Sequence, residues 1–306
     1  MKTLWVTFSL YRLCGRQILM LAAEIPRTKK NSAIEPDAQK DTQIDRYELK
    51  YVVDPNIVPA IRDFIQPFVN RDSNGIGEIP EYIVTTLQLD STNAALHYAK
   101  ERKAYSRFKL RIRTYGTDGK CPYFLEIKRK VNTMILKSRA ILQPSGYSRE
   151  NIVRPTTLIP FKTESESLNY LEFVRLVNEI GARPTIFIRY IRESYKGTSE
   201  SYSRVTLDRS ITYRPAKGSW DFPHQEKRWY ALDTQASLRR EFPGYILELK
   251  SGAELPCWMA ELIERFNLVR TGFCKYSAAM RLESIFTGRQ YSVSSENCTY
   301  EDGSDY

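Results

Sequence analysis

The chain has 306 residues, 42% of them hydrophobic and 27% charged, with a formal net charge of +10. That much apolar material excludes a disordered chain and can fill the core of one large or two ordinary domains. The basic excess points to an anionic partner: nucleic acid, a phosphate-rich small molecule or an acidic membrane. Five scattered cysteines without a C-x-x-C pair and two distant histidines argue against a disulfide framework, a zinc site or a histidine-based triad. They imply reduced thiols in a cytoplasmic protein.

Residues 1–23 are apolar but interrupted by Lys2, Arg12 and Arg16, which makes a transmembrane segment or a signal peptide a poor fit. Met1 and Met20 both stand as candidate starts. Residues 24–43 read as a polar linker, so 1–43 is expected to be a poorly ordered extension ahead of a domain over 44–287. The first strand is predicted over 46–53. A helix is predicted over 55–69 from the spacing of Ile57, Val58, Ile61, Ile65 and Phe68. A β-rich run covers 82–90, and a short polar helix with a surface His97 covers 94–101. Strands at 108–115 and 123–130 flank the turn glycines Gly116 and Gly119, a hairpin signal. A third strand follows over 133–142.

An amphipathic helix is predicted over 165–180, stopped by Gly181 and Pro184. Strands at 185–195 and 203–213 come next, then an irregular stretch, a last strand at 245–250, and helices at 256–268 and 274–285. Trp220, Trp229 and Trp258 are expected to pack in the core or at its rim. Residues 288–306 read as an acidic flexible tail, and Asn297-Cys298-Thr299 is a chance sequon. The pattern is α+β, dominated by about eight mostly antiparallel strands.

Several strands carry long charged residues at every second position: Arg46/Glu48/Lys50, Lys109/Arg111/Arg113, Glu126/Lys128/Lys130, Lys137/Arg139, Arg204/Thr206/Asp208 and Glu248/Lys250, with Arg192 alone. Alternate strand residues share a face. Any one such strand is ordinarily a half-buried strand with its polar face in water. The set resists that explanation. Like charges on neighbouring strands repel, many of the cations are arginines suited to bidentate phosphate contacts, and Glu48, Glu126 and Glu248 lie at the same phase. Carboxylates among phosphate-binding cations suit a hard divalent metal. If these faces converge in a closed sheet of about eight strands, they line a polyanion site.

The segments RYELKYVV, KLRIRTYG, FLEIKRK, RYIRESY, RVTLDRSI, YILELKSG and CKYSAAM, in this order, resemble the VTC domain, the catalytic domain of polyphosphate polymerases within the triphosphate tunnel metalloenzymes, also called the CYTH superfamily. The resemblance runs over about 44–285. It implies an eight-stranded antiparallel β-barrel with flanking helices, a triphosphate and a divalent metal (manganese or magnesium) held inside, and transfer of the ATP γ-phosphate to inorganic polyphosphate. It makes Lys50, Arg111, Arg113, Lys128, Lys137, Arg192, Arg204 and Lys275 phosphate-binding residues, with Lys50, Arg113 and Lys275 catalytic. Arg139 and Lys250 join them by strand phase. Glu248 is the implied metal ligand, assisted by Glu48 or Glu126.

The sequence departs from the superfamily in two places. Arg46 stands where triphosphatases have the first glutamate of Glu-x-Glu-x-Lys, which leans toward a polymerase. Cys274 replaces a serine that often precedes the helix lysine. The phosphate-sensing SPX domain and membrane helices of the eukaryotic complexes have no room in this chain, so assembly into a membrane translocation machine is not expected. No G-x-x-x-x-G-K-[ST] pattern is present, so side chains must hold any ATP triphosphate. Two rival readings stand beside the polymerase: a triphosphate hydrolase of the same fold, and a non-catalytic polyanion or nucleic-acid binder, against which the in-phase glutamates argue. The oligomeric state is left open.

Overall fold

The computed structural model describes residues 47–288 apart from 74, 76, 133, 157–158, 200–201, 225–227 and 239–240. The N-terminal extension, Arg46, and the tail beyond Gly288 lie outside the described residues.

Among the described residues ten strands form one sheet: β1 (Tyr47–Val53), β2 (Val69–Arg71), β3 (Glu81–Asp90), β4 (Ser106–Tyr115), β5 (Tyr123–Val131), β6 (Met134–Leu142), β7 (Arg183–Gly197), β8 (Ser203–Pro215), β9 (Tyr230–Ala231) and β10 (Tyr245–Ser251). Eight run in the order β1-β10-β8-β7-β3-β4-β5-β6; the short β2 and β9 pair with β7 and β8. Every pairing is antiparallel. The helices among the described residues flank the sheet: α1 (Val58–Ile65), α2 (Ala95–Glu101), α3 (Arg149–Val153), α4 (Glu164–Glu179), α5 (Gln235–Leu238), α6 (Cys257–Arg265) and α7 (Lys275–Thr287).

The expected closed eight-stranded barrel is corrected on both counts. There are ten strands, and the sheet is open: among the described residues no backbone pairing joins the edges β1 and β6. It is nevertheless strongly curled. β1 and β5 lie six strand spacings apart along the sheet, roughly 29 Å if it were flat. Yet Lys128 Nζ of β5 lies 3.3 Å from Glu48 Oε2 of β1. Long side chains span the seam, which is wider than the ~4.8 Å that backbone pairing requires.

The convex face is apolar and covered by helices. Leu110, Ile112, Leu125, Ile127 and Leu87 pack with Phe173, Val177 and Ile152 of α4 and α3. Tyr51, Val205, Leu207, Leu247 and Leu249 pack with Ile61, Ile65, Met259 and Leu262 of α1 and α6. Each fully buried aliphatic side chain contributes about 1.5–3 kcal/mol. Trp220 and Trp229 join the first cluster and Trp258 the second, as expected. On the concave side α7 covers one region, where Val84, Ile188, Ile211 and Ile246 meet Ala278, Ala279 and Met280.

Local chemistry explains the element ends. Thr163 caps α4 by accepting from the Glu166 N–H, and Glu166 accepts from the Lys162 N–H. Gly181 then adopts φ 58°, the left-handed geometry that ends the helix. The expected 55–69 helix is broken: only Val58–Ile65 is α-helical, because Pro67 has no N–H to continue the ladder, and Gln66–Phe68 tightens to a 3-10 turn. His97 is buried, not at the surface, with its ring beside Tyr98 and Tyr276. α2 is sandwiched between the sheet and α7, a long-range contact no local periodicity reveals. The strands β2 and β9 and the helices α3 and α5 are too short to read from pattern.

Candidate functional site

The register puts the charged residues on the concave face in opposed pairs. Glu48 faces Lys250 and Lys50 faces Glu248 across β1 and β10. Arg111 faces Glu126, which faces Arg139, across β4, β5 and β6. Arg192 faces Asp208 across β7 and β8. Interleaved carboxylates thus relieve part of the like-charge repulsion, although Lys109, Lys128 and Lys137 still face one another and Arg204 faces Lys250.

Three ionic nodes result. In the first, Lys250 Nζ lies 2.8 Å from Glu248 Oε1, with Lys50 Nζ 3.9 Å from Oε2. Lys50 also contacts Glu48, which Lys128 and Lys137 approach to 3.3 and 3.9 Å from across the seam. Burial and the neighbouring Glu248 push the Glu48 carboxyl up, but Lys50, Lys128 and Lys250 outweigh them and hold it at about 2. Burial, opposed by Glu48 but aided by Lys50 and Lys137, brings Lys128 down to about 8. Burial also lowers Lys250 and Lys137.

In the second node Glu126 has both oxygens engaged. Arg111 Nε donates to Oε2 at 2.6 Å, Arg139 Nη2 donates to Oε1 at 2.5 Å, and Arg113 Nη2 lies 3.6 Å away. Burial opposes ionisation, yet the three guanidiniums hold this carboxyl far below the usual range. In the third, Asp208 is fully buried. It accepts two bonds from Arg192 at 2.7 and 2.8 Å and one from Lys275 Nζ at 2.7 Å. Burial raises its pKa, but Arg192 and Lys275 bring it down to about 2. Tyr190 is buried against this node, with the Arg192 guanidinium 5.2 Å and Lys275 Nζ 4.7 Å from its ring centre.

Arg204 is held apart from these nodes by Asp72 Oδ2 at 2.6 Å and Ser194 Oγ at 3.0 Å, and reaches Tyr82 OH at 3.4 Å. Lys109 Nζ lies 3.0 Å from Cys274 Sγ at the start of α7. Burial raises that thiol, but Lys109 and Lys100 lower it to about 5.

The nodes share one space: Arg192 feels the charge of Glu248 as well as Asp208, and Arg113 feels Arg192 as well as Glu126. All ten cations singled out from the sequence lie on this face or, for Lys275, at the first residue of α7 above it. Asp208 lies in the charge pattern, but the sequence reading assigns it no role; its strand phase with Arg204 is the signal that could have found it. Asp72 was unreadable, because Arg204 and Ser194 are distant in sequence; Tyr190 was legible only by its strand phase with Arg192, since Lys275 is also distant. Among the described residues no three His, Cys, Asp or Glu side chains gather into a cluster; Glu48 and Glu248 come as a neighbouring pair.

The profile of the VTC domain matches residues 45–283. The chain belongs to the VTC domain family. That family is associated with polyphosphate metabolism, and no helix among the described residues is long and apolar enough to cross a membrane. No curated protein matches the chain significantly. Among solved structures, the PH1819 protein from Pyrococcus horikoshii OT3 is 14% identical with a TM-score of 0.39, over 80% of this chain and 100% of that one. So loose a likeness carries no argument here.

Proposed function

We propose that this VTC-domain protein is a metal-dependent polyphosphate polymerase that moves the γ-phosphate of ATP onto a growing polyphosphate chain along the concave face. One observation carries the reading. Ten cations from seven strands and α7 share a curled face with five carboxylates, Glu48, Asp72, Glu126, Asp208 and Glu248. Partly buried positive charge in excess of its partners calls for a polyanion.

Phosphoryl transfer needs positioning and charge neutralisation more than covalent help from the protein. An anionic oxygen at the end of the polyphosphate chain attacks the γ-phosphorus. The bond from that phosphorus to the β–γ bridging oxygen breaks, and ADP leaves. The attacking oxygen is already ionised, so no general base is needed. Arg111, Arg113 and Arg192 hold non-bridging oxygens, while Lys50, Lys128, Lys137 and Lys250 follow the chain as point charges.

Glu248 and Glu48 fit a divalent cation. Magnesium is commonly bound through one or two carboxylates completed by substrate phosphates, and these two are neighbours held ionised. Glu126 fits less well: guanidinium donors hold both of its oxygens at 2.5–2.6 Å, whereas one oxygen of Glu48 and one of Glu248 have lysines no nearer than 3.3 and 3.9 Å. The metal supplies neutralisation of phosphate oxygens.

A second reading, a triphosphate hydrolase on the same face, is favoured by Lys128: an amine lowered to about 8 can accept a proton from water. Incubation with ATP and manganese or magnesium separates the two. Long chains on a gel support the polymerase; free phosphate without chains overturns it in favour of the hydrolase. Salt-sensitive binding of single-stranded DNA without turnover overturns both.

A further inference from the structure

The concave face is not charged throughout. Phe124 of β5 stands opposite Arg113, Tyr115 of β4 opposite Val84, and Tyr82 of β3 opposite Arg192. These three rings form a continuous edge-to-face row. The Tyr82 and Tyr115 centroids are 5.6 Å apart at 72°, and Tyr115 and Phe124 are 5.3 Å apart at 74°. Ile188, Ile211 and Ile246 of this face are buried with α7. Tyr82 and Tyr115 pack on the edge of that cluster and, like Phe124, remain half-exposed. Arginines border the row: the Arg139 guanidinium lies 5.2 Å over the Phe124 ring, and Arg204 reaches the Tyr82 hydroxyl.

We propose that the Tyr82–Tyr115–Phe124 row is a nucleobase subsite, on which the purine of a nucleoside triphosphate stacks while its phosphates run onto the neighbouring arginines. The inference rests on the reading of the charged face as a triphosphate site. A half-exposed aromatic row beside guanidiniums is the arrangement that holds a planar base without reading its identity. It also sets a polarity. Lys128 lies four residues along β5 from Phe124, roughly 13 Å. The base at Phe124 therefore places the α-phosphate near Arg113 and Arg192 and the γ-phosphate toward Lys128 and Lys137. Inorganic tripolyphosphate engages the same cations but leaves the aromatic row empty.

The test compares ATP with inorganic tripolyphosphate by titration calorimetry, in the full chain with manganese, for the wild type and the variants Phe124→Leu and Tyr115→Leu. Leucine keeps apolar volume, and thermal melting verifies folding. The expected result is an ATP affinity lowered about tenfold in each variant, with tripolyphosphate affinity unchanged. Unchanged ATP affinity, or equal losses for both ligands, overturns the subsite. A second measurement needs no variant: the triphosphate of 2-aminopurine riboside loses fluorescence on stacking, so quenching is expected with the wild type, and its absence overturns the proposal. A wild type that binds neither ATP nor tripolyphosphate overturns the triphosphate site itself. Selective loss of ATP affinity without polymer on the gel keeps the subsite and overturns only the polymerase.

Discussion

Two regions of the concave face handle negative charge differently. Around Glu48 and Glu248 the partners are lysines from β1, β5, β6 and β10, several of them 3.3–3.9 Å away. Around Glu126 and Asp208 the partners are chiefly arginines, four of the contacts at 2.5–2.8 Å and Arg113 at 3.6 Å, with Lys275 completing Asp208, so the regions differ in the type of cation more than in distance. Lysine is a flexible point charge that releases a carboxylate readily, whereas the guanidinium fork fixes geometry through paired donors. Under the proposed function, the lysine region would exchange its partners for a metal and moving phosphates. In the arginine region the carboxylates aim the guanidiniums, so Glu126 and Asp208 act as positioning residues.

The sharpest way to break this contrast is to remove one carboxylate from each region. Glu248→Ala is expected to abolish metal-dependent turnover, a loss of at least about a hundredfold. Glu126→Gln is expected to weaken triphosphate binding yet keep the dependence on manganese concentration. Activity titrated against metal checks both; a fully active Glu248→Ala protein sinks the assignment of the metal.

Asp208→Asn comes next in size. It leaves Arg192 and Lys275 without their buried counter-charge and is expected to cost about 3 kcal/mol, seen as a lowered melting temperature. Its pH dependence has a definite sign. The Asp208 carboxyl is held at about 2 against an ordinary 3.8, so its stabilisation is full above pH 3.8 and is lost as pH falls toward 2. The variant should therefore lose less stability than the wild type over that window.

A smaller, purely chemical effect tests the mouth beside α7. With its thiol lowered to about 5, Cys274 is a thiolate above that pH, and alkylation by iodoacetamide should already be half-maximal near pH 5. Lys109→Met should move that midpoint upward; an unmoved midpoint means that Lys109 does not set it. The smallest effect belongs to Lys137, whose side chain is 55% exposed and 3.9 Å from Glu48. Lys137→Ala should change stability by less than about 1 kcal/mol. It should still reduce the salt dependence of polyphosphate binding.

The alternation in KLRIRTY and FLEIKRK is enough to place β4 and β5 and to divide their two faces, because a strand's side-chain period is two whatever its partners. The same residues, with the ordered segments around them, carried the family resemblance. Pattern was silent on β2, a three-residue strand that exists only because β7 is beside it. It also misplaced His97, since a polar-looking helix can be buried by a distant element. The closed barrel was implied by the family resemblance, with a compatible strand count, but closure depends on twist and on what fills the seam.

The sequence by itself determined where the eight longer strands run, which face of the charged ones carries the charge, and that glutamates share that face, all consequences of local geometry. Tertiary structure alone decided that the sheet stays open with Lys128 and Lys137 reaching Glu48 across its seam, that arginines saturate Glu126 while lysines hold Glu48 and Glu248, and that Asp208 ties α7 to the sheet. The reason is physical. Alternation is set within a few residues of chain, whereas the partner of each charge depends on register and curvature across strands up to seven spacings apart.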